Sequence, residues 1–340
     1  MKERKKFLDI NPKIWGPIFS LVVIIVIMGI IDPGFIQIEF KDGRLYGSLI
    51  DILVRATPTA IIALGMAVVI GTKGIDLSVG SVVAICGAVA AVLIVETQLP
   101  FFMVVIVSVL VGGGIGFLNG IMVSFIGIQP IIATLILMVS GRGIAQLVTG
   151  GRAVSFDSTA MDIIGSGALL AIPVRLWIMT ALVLCTVLLL RKTALGLFLE
   201  SVGANAKASR LLGIEARMLK VIAYIFSGMC AAVAGMILIA DVSTAEINRL
   251  GLWLELDAIL AVVLAGASLN GGRIYLGLTI IGALIIQTLT TIIFSSGVPV
   301  EYNLIVKACI ILAVLLIQSE TTKNYVSQLR TKSLENRHAE

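Results

Sequence analysis

The chain is poor in the residues that do chemistry. Its single histidine, His338, stands in a polar C-terminal stretch, and neither an H-E-x-x-H pair nor a nucleophile elbow occurs. A transferase or protease needs a nucleophile with an acid–base partner, or a metal site, so no catalytic or metal-ligating residue is assigned and no cofactor is expected. The four cysteines, Cys86, Cys185, Cys230 and Cys309, lie singly inside apolar runs, a pattern that suggests packing and neither a zinc cluster nor a disulfide framework. G-x-x-x-x-G-K-[ST] is absent, and Gly71-Thr72-Lys73-Gly74 lacks the spacing that cradles phosphates, so no nucleotide site is assigned to this chain. Charge is scarce as well, with only 13% of the 340 residues being Asp, Glu, Lys or Arg.

What is present is apolar surface: 59% of residues are hydrophobic and the mean hydropathy is +1.10. No soluble domain buries that much, so the chain reads as an all-α, polytopic transmembrane helix bundle. Apolar stretches near 14–31, 50–70, 79–95, 101–120, 130–148, 174–190, 221–240, 257–270, 276–294 and 303–318 give about ten spans at roughly 20 residues each. The first stays as an anchor, because no small-residue cleavage site follows it and Asp32-Pro33-Gly34 begins a loop. Gly112, Gly116 and Gly120, and Ser227, Ala231 and Gly235, have the spacing of closely packed helices in lipid.

Lys and Arg orient the bundle. With both termini in the cytoplasm, seventeen basic residues fall on that side, five outside, and Arg55, Arg142 and Lys307 inside spans. That balance fits the positive-inside rule, and it reads the basic pI of 9.1 as membrane orientation with no role for nucleic acid. The expected organisation is a cytoplasmic tail at 1–13, a transmembrane domain at 14–318 enclosing a cytoplasmic loop at 191–220, and a second cytoplasmic tail at 319–340. Within the loop, Ala204 to Leu212 is expected to form a short helix, with Ala208, Leu211 and Leu212 on one side, ended by Gly213 as a C-cap. Such a helix suits either a cleft in a partner or a bed of lipid headgroups.

One feature interrupts the apolar pattern. Gly71 to Ser78 sets a polar, glycine-bounded insert between two spans, which is either a tight connection or a break bordering a pathway. Asp76 at its end suits a helix cap for the next span, with contact to the route as the alternative. A weak echo of this pattern recurs at 254–268, where acids again precede a small-residue-rich segment.

The wording of several motifs is specific. GIDLSVGS at 74–81, IQPIIATLILM at 128–138, ESVGANAKASRLLGI at 200–214 and LELDAILAVVLAGASLNGGR at 254–273 resemble the permease subunits of bacterial ABC importers for monosaccharides, across nearly the full length. KDGRLYGSLIDILVRATP at 41–58, GRGIAQLVTGG at 141–151 and RKTALGLFLE at 191–200 are most similar to galactofuranose permeases. The resemblance implies a protein of the bacterial cytoplasmic membrane that pairs with a second permease copy as a homodimer, takes a monosaccharide from an extracytoplasmic binding protein, and is driven by a separate ATP-binding subunit. By the same resemblance Gly203, Asn205, Ala208, Leu212 and Gly213 belong to the coupling segment that docks in the ATPase. The alternative is a secondary transporter or channel that needs no ATP.

Polar residues in or beside spans cost free energy and are candidates for the route. Asp76, Ser78, Asn119, Glu255, Asp257 and Gln287 are the expected points of weak contact with sugar hydroxyls, against the alternative that they cap or glue helices. Glu255 and Asp257, two residues apart, are expected to point to different faces of one helix. Arg142 needs a partner that the sequence does not name.

Overall fold

A computed structural model describes residues 12–318 apart from 42, 296, 298, 300 and 301. Except for residues 12 and 13, the two expected tails, His338 among them, lie outside the described residues. The chain forms α1 (Pro12–Ile31), α2 (Ser48–Gly71), α3 (Val79–Glu96), α4 (Phe101–Ile121), α5 (Pro130–Val148) and α6 (Thr159–Ser166), followed by α7 (Val174–Lys192), α8 (Ala194–Leu211), α9 (Ala216–Val242), α10 (Leu254–Leu264), α11 (Leu276–Ser295) and α12 (Asn303–Gln318). The strands among the described residues are two or three residues long and only clip loops together. Nine of the ten apolar stretches coincide with helices along their length, and the tenth, at 257–270, does so only in part. Seven of these (α2, α3, α4 with its π-turn Met122–Ile126, α5, α7, α9 and α11) are long and apolar enough to cross a membrane.

The stretch expected as a span at 257–270 corrects to something shorter. The helix there, α10, has 11 residues, about 16 Å at 1.5 Å per residue, and stops at Leu264. Ala265 to Tyr275 then runs on without helix, with Gly266, Gly271 and Gly272 at positive φ. About half a bilayer is all that α10 covers, and the segment after it is irregular backbone that buries Ala265, Ala267 and Ile274 and exposes Ser268, Leu269 and Asn270.

Helix α9 is the axis of the bundle and packs on α2, α3, α4 and α6. Small residues let it do so. A Cβ on Gly120 would sit 2.7 Å from the Val221 Cα, and one on Gly65 2.9 Å from the Ser227 Cα. Gly112 and Gly116 likewise meet the α9 backbone at Gly228 and Tyr224, so the 112–116–120 spacing is the α4 side of a close helix pair. Helix α2 is buried along most of its length, whereas α5 and α7 keep broad apolar faces on the outside of the protomer, which is the expected surface for lipid or another membrane helix.

Helix α8 differs from the short segment expected at 204–212. It is two helical pieces joined at Asn205, whose φ of −158° and ψ of 95° are extended. The Asn205 Oδ1 accepts the Lys207 N–H at 3.1 Å and the Ala208 N–H at 3.0 Å, so it is the N-cap of the second piece. Gly213 at φ +81° ends that piece, where only glycine is unstrained. The earlier piece, Ala194 to Ala204, went unanticipated because its polar residues hid an apolar side, Leu199 and Val202, that seats against the core.

Candidate functional site: two interrupted helices and an exposed loop helix

Helix α2 stops at Gly71 through a local knot. The N–H groups of Thr72, Lys73 and Gly74 turn back to the carbonyls of Val69 and Ile70, and Lys73 takes φ +66°. The chain then crosses to α3 through Ile75, Asp76 and Leu77. Ile75 O accepts from the Tyr224 hydroxyl at 3.2 Å. Asp76 is buried, its Oδ1 accepting from Ser78 N (3.1 Å) and Ser78 Oγ (2.6 Å) and its Oδ2 from Ser227 Oγ (2.9 Å). Ser78 Oγ in turn accepts from Asn119 Nδ2 at 2.7 Å, and Ser81 Oγ donates to Ser78 O and Leu137 O. Ser227 is near the middle of α9, and the buried network ties α2, α3, α4, α5 and α9 together. Interrupted backbone survives there because protein groups replace the missing water.

Three of the six expected contact residues, Asp76, Ser78 and Asn119, are thus brought together, and their polar atoms meet protein. Asn119 Oδ1 alone in this set has no hydrogen-bond partner. Ser227 completes the set from 151 residues away; its hydroxyl sat in a small-residue stripe that sequence reasoning assigned to packing only.

Helix α10 begins beside the start of α3. Trp253, at φ +65°, precedes it, and the buried Glu255 lies against Gly80, where a Cβ would also sit 2.6 Å from Gly251 O. A carboxylate at two helix N-termini is electrostatically well placed, and yet Glu255 Oε2 has no hydrogen-bond partner. Asp257, as expected, faces elsewhere. Both of its oxygens accept from Lys307 Nζ on α12, at 2.7 and 2.8 Å, which answers the charge of a lysine inside a span. Arg142 finds carbonyls: its guanidinium donates to Leu250 O and Ile247 O, while Gln146 Nε2 reaches Asn248 Oδ1 at 3.1 Å. Helix α5 therefore holds the loop that leads into α10.

Both interruptions meet α8. Gly272 N donates to Gly71 O at 3.1 Å, and Gly203 of α8 packs so close to both that a Cβ on it would be 2.8 Å from Gly272 N. Glu200 Oε1 accepts the Ile274 N–H at 3.0 Å. Of the residues expected to couple, Gly203 is therefore an inner contact, whereas Asn205, Ala208, Leu212 and Gly213 are exposed. Leu211 and Leu212 stand 90% and 80% exposed at the tip, flanked by Lys207 and Arg210.

Gln287 lies apart from all of this. It lines a cavity of about 520 Å³ at the opposite end of the bundle from α8, between α2, α7, α9 and α11.

A family model described as "Branched-chain amino acid transport system / permease component" matches residues 48–315. The chain is 48% identical over 316 residues to the galactofuranose transporter permease protein of Escherichia coli (strain K12), a match covering 92% of each chain. It is 37% identical over 301 residues to a ribose import permease protein of Haemophilus influenzae, covering 87% of this chain and 90% of that one. A fructose import permease protein of Bifidobacterium longum is 35% identical over 334 residues, covering 96% and 93%. The chain belongs to this family of transport permease components, alongside import permeases for galactofuranose, ribose and fructose, and is a multi-pass membrane transport subunit with no catalytic role of its own.

Proposed function

We propose that the chain forms the membrane pathway of a bacterial ABC importer for a monosaccharide of the galactofuranose kind. The sugar is delivered by an extracytoplasmic binding protein, a second copy of the chain completes the permease as a homodimer, and a separate ATPase subunit drives transport. Both termini and α8 face the cytoplasm in this reading, consistent with the basic residues clustered at that side.

The observation that carries the reading is the form of α8. Its tip is a capped helical turn presenting Leu211 and Leu212 outward between basic side chains, a shape suited to a partner with an apolar groove and acidic rim. Its root, through Gly203 and Glu200, touches the ends of both interrupted helices. Docking at the tip would therefore displace the α2–α3 break and the α10–α11 link together, and a rigid lever of this sort couples two sites without a continuous wire of side chains. In this scheme Asp76, Ser78 and Asn119 shape the moving joint, Glu255 and Asp257 set the seat of α10, and Gln287 meets the solute directly.

The test is reconstitution of the permease with its ATPase in liposomes. Labelled galactofuranose should accumulate only with ATP on the α8 side and loaded binding protein on the other. Equilibration of sugar without ATP or the ATPase would contradict the reading and favour a channel or secondary transporter.

A further inference from the structure

The cavity that holds Gln287 gathers charged, amide and aromatic groups on one wall. It opens where α2 and α7 begin and α9 and α11 end, the side away from α8, and its lining includes Asp51, Arg55, Gln287, Thr290, Thr291 and Phe294. Its volume of about 520 Å³ is in the range of small-molecule sites. Asp51 and Arg55 are one turn apart on α2 and exposed at the mouth of the cavity, and among the described residues neither side chain makes a hydrogen bond or ion pair. Gln287 donates weakly to Thr291 Oγ1 at 3.5 Å, and its amide carbonyl receives no hydrogen bond from the described residues. The other charged pair of the wall, Arg175 and Asp241, is consumed: Arg175 binds Asp241 and the carbonyls of Ile164 and Gly165.

Free donors and acceptors in a membrane domain ask for a ligand that supplies both. Two acids and two arginines leave the wall without net charge, which disfavours an ion and favours a neutral solute. A carboxylate, a guanidinium and an amide within one cavity match vicinal hydroxyls, each of which donates and accepts. Phe294, half exposed on the wall, offers a flat face to the C–H side of a sugar ring.

We propose that this outer cavity is a weak monosaccharide subsite within each protomer, with Arg55, Asp51 and Gln287 as its hydrogen-bonding groups and Phe294 as its stacking wall. The proposal rests on the transport reading above and adds to it where sugar first meets the permease. Weak binding is what an importer needs here, since a tight outer site would hold its cargo.

The subsite can be tested in the full complex, with binding protein, ATPase and a permease whose four cysteines are replaced. Thr291→Cys should react with an impermeant methanethiosulfonate reagent, and millimolar methyl β-D-galactofuranoside should slow that reaction, while labelling of Ala153→Cys in the exposed loop after α5 should be unaffected by sugar. Gln287→Leu, in the otherwise unaltered permease, should lower maximal uptake about 2- to 10-fold, the fold-change expected for one lost hydrogen bond, with the melting temperature unchanged. Equal labelling of Thr291→Cys with and without sugar, in a complex whose wild-type form transports, would overturn the subsite alone. So would protection by phosphatidylglycerol and not by sugar, which would assign the cavity to a lipid headgroup. Failure of the wild-type complex to take up sugar at all would overturn the transport reading itself, a result read in the unmodified protein and so distinct from the first two.

Discussion

Two polar regions of the bundle contain the same kinds of residue and use them in opposite ways. Around Asp76, in the buried interior, a carboxylate, three hydroxyls and an amide spend almost every polar atom on one another and on backbone. Around Gln287, at the outer end, a carboxylate, a guanidinium and an amide carbonyl find no protein partner among the described residues. Residue type does not separate a joint from a binding surface in a membrane, then. What separates them is whether protein atoms already complete the hydrogen bonds: the buried groups are answered by protein, whereas those at the outer end stay open to water or solute.

The comparison makes graded predictions. Asp76→Ala strands the Ser78 N–H, the Ser78 hydroxyl and the Ser227 hydroxyl together, at about 1–3 kcal/mol for each buried donor, so little folded permease should be recovered from membranes. Recovery of normal amounts with an unchanged melting temperature would show that the joint is not structural. Asp257→Asn leaves Lys307 charged and unanswered, a loss of about 3–5 kcal/mol, and the exchange Asp257→Lys with Lys307→Asp should regain most of the thermal stability. No recovery in the exchanged pair would mean that the ion pair is not what Asp257 contributes.

At the tip of α8 the effect should be on coupling and not on folding. Ala208→Trp is expected to abolish ATP-driven uptake while the melting temperature moves by no more than a few degrees, since Ala208 is exposed, and Gly213→Val, strained at φ +81°, should unwind the end of the loop helix and abolish uptake while the permease still reaches the membrane. Uptake and ATPase stimulation at wild-type rates in both variants would remove the docking assignment. The smallest effect belongs to Glu255→Gln. Its Oε2 has no hydrogen bond to lose, so the cost should stay within about 1 kcal/mol, from weakened attraction to the helix terminus and to the nearby Arg142. A loss as large as that of Asp257→Asn would reveal a partner for Glu255 in another conformation.

Local pattern made much of this legible. Apolar runs located the membrane helices, the glycines at 112, 116 and 120 marked the α4–α9 contact, and Gly213 marked the end of the loop helix. The Asp76 carboxylate does accept the Ser78 N–H, as a local turn motif allows. Partners far along the chain were another matter. Ser227 for Asp76, Lys307 for Asp257 and backbone carbonyls for Arg142 follow from helix placement, which no periodicity encodes. The early end of α10 was hidden because apolar residues continue to Ala267 past the last helical turn, and hydropathy does not distinguish helix from buried coil. Asp51 and Arg55 did carry a signal, a charged pair four residues apart near the start of an apolar helix, that pointed toward the outer cavity.

The account holds that polar groups in this permease either lock helices or touch sugar weakly, with selection made by the binding protein. Titration of the purified permease alone with galactofuranose, read by intrinsic fluorescence or calorimetry, addresses that claim most directly. Binding should be no tighter than about millimolar, the equivalent of roughly 4 kcal/mol. Saturable binding in the micromolar range would contradict it and would place a true selective site in this chain.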